Sequence, residues 1–110
     1  MGFLAYNDTL TELYNRRKFQ EELERQIKIA KRSNSSGAVL MFDLDNFKDV
    51  NDGSGHHVGD EMLKQIAYKL KDICRKNDIV SRMGGDEFAI ILTNIDEEDA
   101  IKVADKICRQ

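Results

Sequence analysis

Asp43 and Asp45 close the apolar run Ala38-Val39-Leu40-Met41-Phe42, and their spacing of two sends both carboxylates off one face of a strand's end. Burying them unpaired would be costly, so the position asks for a metal ion, a cationic partner or solvent. A second acidic stretch, Gly84-Gly85-Asp86-Glu87, lies between the strand-like runs Asp78 to Met83 and Glu87 to Thr93, which reads as a hairpin with a two-glycine tip. Glycines let a ligand reach backbone amides while the neighbouring carboxylates stand beside it, an arrangement suited to phosphate held through a metal ion. Taken alone, the second stretch reads more readily as a plain solvated hairpin.

The two stretches matter together only if the elements between them bring them to one place. Asn15 is a plausible N-cap for a helix in which Phe19, Leu23, Ile27 and Ala30 recur at helical spacing until Ser33-Asn34-Ser35-Ser36-Gly37 ends it. After the first strand and a loop rich in Asp, Asn, Gly and Lys, the residues Val58, Met62, Ile66, Leu70 and Ile73 form a core-facing stripe ending near Lys76. A long helical connection predicts that the strand before it and the strand after it run in the same direction, as in a right-handed crossover. The end of the first strand and the tip of the hairpin then share one edge of the sheet, so Asp43 and Asp86 meet. Ala100, Ile101, Ala104, Ile107 and Cys108 mark a last helix. The order is most of a ferredoxin-like βαββαβ unit, an α+β fold, with an added leading helix and without its closing strand. An uncovered first strand would then invite strand exchange or dimerisation.

Several chemistries are excluded. An EF-hand reading of Asp43-Leu44-Asp45 fails because Phe47 stands where an oxygen ligand is needed. A phosphatase of the hhhDxD type fails on Phe47 again, and on Lys64 where an acid would follow Gly59-Asp60. A net charge of −3 gives no footprint for a nucleic acid polymer. No apolar run approaches a membrane span and no signal peptide is evident, so a cytoplasmic protein without membrane contact is expected. Cys74 and Cys108 lack metal-site spacing and read as two free, half-buried thiols.

In order and over nearly the whole chain, the sequence resembles the GGDEF family of diguanylate cyclases. The resemblance rests on Asp8-Thr9-Leu10-Thr11-Glu12-Leu13-Tyr14-Asn15-Arg16-Arg17, on Phe42 to Asp52, on Gly55-His56 and Gly59-Asp60, and on Arg82 to Phe88. It implies a palm-like nucleotidyl cyclase fold, with a lead-in segment over residues 1–14 and a GGDEF domain over 15–110 that is incomplete at its C-terminus, without the last strand and helix. It also implies an upstream sensor domain.

The implied reaction condenses two GTP to cyclic di-GMP and pyrophosphate in a homodimer, assisted by two Mg²⁺ or Mn²⁺ ions. Asp43, the Leu44 carbonyl and Asp86 are the implied metal ligands, with Asp86 and Glu87 as the catalytic pair. Substrate contacts fall to Lys48, Asn51, His56, Asp60, Gly84 and Gly85. Arg75 and Asp78 form an RxxD pair at the family's inhibitory product-binding position, with Lys106 where an assisting arginine is often found. The rival from another class is a module that binds GTP or cyclic di-GMP without turnover.

Overall fold

The computed structural model describes residues 3–44, 47, 52, 53 and 55–108, without the side chains of Phe3 and Leu4. A short helix α1 (Phe3–Tyr6) precedes α2 (Arg16–Ser33), β1 (Ala38–Asp43), α3 (His56–Ile73), β2 (Ile79–Gly84), β3 (Glu87–Leu92) and α4 (Glu97–Cys108). The helix α2 starts and stops where its sequence requires. The Asn15 side chain accepts a hydrogen bond from the Lys18 amide at 3.0 Å, satisfying one of the donors that a helix start leaves unpaired. At the other end Asn34 adopts a left-handed conformation, φ 52°, and its amide closes onto the Ala30 carbonyl.

The sheet has the order β1-β3-β2. Both outer strands are antiparallel to β3, so β1 and β2 share a direction, as the helical crossover predicts. Along β3, Phe88, Ile90 and Leu92 pack with Leu63, Ala67 and Leu70 of α3 and Ala100 of α4 in the main core. Ala89 and Ile91, on the other face, pack with Phe19 and Leu23 of α2. Every β3 position from Phe88 to Leu92 is buried, which is why its apolar run is continuous rather than alternating. The chain thus has an α+β fold, with its central strand last in the hairpin.

The lead-in is part of this body. Leu13 is buried in the main core. Tyr14 lies alongside β2, its carbonyl accepting from the Arg82 amide at 2.9 Å and its own amide donating to the Val80 carbonyl at 3.3 Å. The outer side of β2 is therefore occupied. On β1, Val39 and Met41 are exposed on the face that α2 covers for the other two strands, and Ile27 of α2 is exposed beside them. The α2 stripe is longer than the contact that the sheet offers it. No described helix is long and apolar enough to cross a membrane.

Candidate functional site

The strand register decides which acids meet. Asp43, the last residue of β1, is paired directly with Glu87, the first residue of β3, and Glu87 is also paired with Gly84 at the end of β2. Asp86 immediately precedes Glu87, so three carboxylates and the glycine turn gather at one end of the sheet. Beneath them Phe42 and Phe88 stack with ring centroids 5.7 Å apart, fixing the two strand ends that carry Asp43 and Glu87.

The turn differs in detail from the expected two-glycine tip. A bulge between Arg82 and Gly84 shifts the register, so Gly84 ends β2 and the two connecting residues are Gly85 and Asp86. Gly85 has φ 52°, a left-handed conformation that glycine adopts without strain. Asp86 therefore sits within the turn itself, half-buried, while Asp43 and Glu87 are exposed.

Like charges directly opposite each other across a ladder oppose folding. Neither Asp43, Asp86 nor Glu87 has a cationic partner among the described residues. Nor do the described acids, histidines and cysteines form a ready three-ligand metal cluster. A Mg²⁺ ion usually keeps several waters and is held by one or two carboxylates together with substrate phosphates, so a three-ligand cluster is not a requirement for one. Leu44 packs its side chain against the core, which leaves its backbone as the group it can offer a ligand.

Of the expected substrate contacts, Gly84 and Gly85 lie in this turn. His56 and Asp60 lie exposed at the start of α3 and past its first turn, with no ion pair among the described residues. Lys48, Asn51 and the second strand-end acid, Asp45, fall outside the described residues.

Arg75 and Asp78 stand at the opposite end of β2 from the turn, and they divide their roles. Asp78 is buried, its side chain 2% exposed, whereas Arg75 remains 53% exposed. The Asp78 carboxylate accepts from the Arg75 amide at 2.9 Å, from its Nε at 3.3 Å and from its Nη2 at 3.0 Å, and also from the Thr93 amide at 3.3 Å. Arg75 Nη2 donates further to the Thr93 carbonyl. The acid thus ties the α3–β2 turn to the end of β3, and only the guanidinium is presented outward. Cys74, beside this pair, is half-buried. Burial, with the Asp78 charge adding to it, pushes its thiol up to about 11. Cys108 is exposed, where a half-buried thiol was expected.

Sequence reasoning passed over one further contact. Arg82 Nη1 donates to both carboxylate oxygens of Asp8, at 3.0 and 3.2 Å, and Arg82 Nε donates to the Gly85 carbonyl at 2.9 Å. Asp8 and Arg82 belong to different motifs, 74 positions apart, and no local pattern joins them.

Comparison with known proteins agrees with this architecture. Residues 5–110 match the family described as diguanylate cyclase, GGDEF domain. The chain belongs to the GGDEF family. It is 41% identical over 100 residues to diguanylate cyclase DosC of Escherichia coli strain K12, covering 91% of this chain and 22% of that protein. The GGDEF domain of TpbB (YfiN) from Pseudomonas aeruginosa superposes with a TM-score of 0.90 at 41% identity, over 93% of this chain and 60% of that one. The coiled coil and GGDEF domain of DgcB from Caulobacter crescentus, in complex with c-di-GMP, gives 0.89 at 29% identity, over 94% and 54%. The chain spans between 16% and 30% of the first curated relatives it matches.

Proposed function

We propose that this chain provides the catalytic core of a diguanylate cyclase, in which two GTP molecules become cyclic di-GMP and two pyrophosphates. The observation that carries the reading is the register pairing of Asp43 with Glu87, beside Asp86 and a glycine turn, with no cation among the described residues to balance them. Asp43, Asp86 and the Leu44 carbonyl would hold Mg²⁺ or Mn²⁺, which supplies charge neutralisation on the phosphates and acidifies the attacking hydroxyl. Gly84 and Gly85 admit the triphosphate to the backbone. Glu87 accepts the proton of the 3′-hydroxyl as its oxygen bonds to the α-phosphorus of the other nucleotide and the bond to the β-phosphate oxygen breaks. Lys48, Asn51, His56 and Asp60 are the proposed contacts to phosphate and base. Each protomer of a homodimer contributes one GTP, and the GTP-containing cytoplasm is the setting the reaction requires.

Product inhibition is the second element of the reading. The guanidinium of Arg75 faces outward with its Nε and Nη2 held by Asp78 and the Thr93 carbonyl, so its Nη1 is the group suited to a charge-assisted contact with the phosphate or guanine of cyclic di-GMP. Asp78 supports that contact from within.

The test is incubation of the natural protein that carries this chain with GTP and Mg²⁺. Cyclic di-GMP formed by the wild type and reduced at least a hundredfold in Asp86→Ala supports catalysis. Tight nucleotide binding with no turnover assigns the chain to the receptors instead.

A further inference from the structure

Among the described residues, little packs against the turn that carries Asp86: a Cβ at Gly84 or Gly85 would meet none of their atoms within 4 Å. Their φ angles, 152° and 52°, lie where glycine alone moves freely. Among the described residues, Arg16 Nε reaches the Met83 carbonyl just before the turn at 3.5 Å, and the side-chain hydrogen bond within the turn itself runs from Arg82 Nε to the Gly85 carbonyl, at 2.9 Å. Because a peptide unit is planar and trans, fixing that carbonyl fixes the Asp86 N–H on the opposite side of the same plane, and with it the base of the Asp86 side chain.

Arg82 is itself immobilised from behind. Its amide is bonded to the Tyr14 carbonyl, and its Nη1 is bonded to both oxygens of Asp8. Asp8 also accepts from the Thr11 amide at 2.9 Å and from Thr11 Oγ1 at 2.8 Å. The pair is mostly withdrawn from solvent, with side chains 16% and 20% exposed. A charge-assisted contact in such a place is stiffer than one on the surface.

We propose that Arg82 is a positioning residue for the proposed nucleotide site and Asp8 its anchor. The geometry of the lead-in then sets how the Asp86 amide and carboxylate are presented to the phosphates. This rests on the reading of the turn as that site. Arginine is required because one donor must reach Asp8 while another reaches Gly85, which the single ammonium of lysine does not do.

The test compares the wild-type chain with Arg82→Lys, Arg82→Gln and Asp8→Asn, each checked for an intact fold by far-ultraviolet circular dichroism. Two quantities are measured: backbone ¹⁵N order parameters at Gly85 and Asp86, and affinity for a fluorescent GTP with Mg²⁺. The expected result is a fall in order parameter from about 0.85 to below about 0.6 in all three variants, with affinity at least tenfold weaker. Asp8→Asn keeps the side-chain shape and serves if a change at Arg82 prevents folding. Unchanged order parameters in folded variants overturn the proposal, as does a loosened turn with unchanged affinity. Absence of binding by the wild type, with the turn still loosening in the variants, overturns the nucleotide reading and leaves the hold of Arg82 on the turn supported.

Discussion

Asp43 and Glu87 face each other as partners across the β1–β3 ladder, two negative charges in a register position that folding alone would not favour. A pair retained for binding destabilises the protein that carries it. Asp43→Asn is therefore expected to stabilise the chain slightly, by about 0.5 kcal/mol, while it weakens binding of Mg²⁺ and GTP at least tenfold. Chemical denaturation and a binding titration of the same variant check both halves. A variant that loses stability and keeps its affinity contradicts the assignment of Asp43 as a ligand.

Arg75 and Asp78 should separate under mutation. Removing the buried acid strips the Thr93 amide and the Arg75 turn of their acceptor, so Asp78→Ala is expected to cost about 2 kcal/mol in a urea melt. Arg75→Ala leaves that buried acceptor with its two backbone donors and should cost less than half as much. Both are expected to weaken cyclic di-GMP binding, Arg75→Ala without a matching loss of stability.

The Asp8 carboxylate gives the fold an acid-sensitive contact. Burial works against its charge, but hydrogen bonds from the Thr11 amide and hydroxyl and from Arg82, with the Arg82 charge, outweigh it and hold the group below its ordinary 3.8. A depressed carboxylate stabilises the folded state at pH above the unfolded value, and that contribution is lost as pH falls through the folded one. Melting temperature followed below pH 4 should therefore fall less steeply in Asp8→Asn than in the wild type.

The two thiols should react at very different rates. Cys108 is exposed, whereas Cys74 is half-buried with its thiol pushed up to about 11, so at pH 7 a maleimide should label Cys108 first. For Cys74 the folded state holds its proton more tightly than the unfolded chain does, where the thiol has its ordinary value of 9.0. The linked stability is complete below that pH and lost as pH rises through about 11. Mass spectrometry of partially labelled protein identifies the site, and equal labelling would contradict the burial of Cys74.

Periodicity and connection rules carried much of this structure. Asn15 as a cap, the apolar run of β1 and the long helical crossover are local patterns, and together they predict Asp43 beside the hairpin turn. What stayed hidden depends on partners far away in the chain. Asp78 reads as a strand-start acid until the Thr93 amide and the end of β3 close over it. The Asp8–Arg82 contact has no local signature. Ile27 and Val58 continue helical stripes beyond the surface that the sheet offers, so periodicity alone counted them as core. The bulge at Arg82 and Gly84 moved the turn by one residue, a shift that a Gly-Gly pair does not announce.

The edge of β1 yields the last expectation. Among the described residues β1 pairs only with β3, and Val39 and Met41 are 43% and 65% exposed on one face of it. Beyond this edge lies an apolar groove of about 640 Å³, bordered by Met62 and Ile66 of α3 and by Ala104 and Ile107 of α4. An open strand edge with apolar neighbours pairs readily with another strand. The 110-residue chain on its own is expected to self-associate with rising concentration in sedimentation velocity. Met41→Lys places a charge on that edge without touching the buried face and should shift the population toward monomer. A wild-type chain that stays monomeric at about 100 μM, within the micromolar-to-millimolar range in which unpaired strand edges cause association, would mean that the edge is protected in solution by the chain itself.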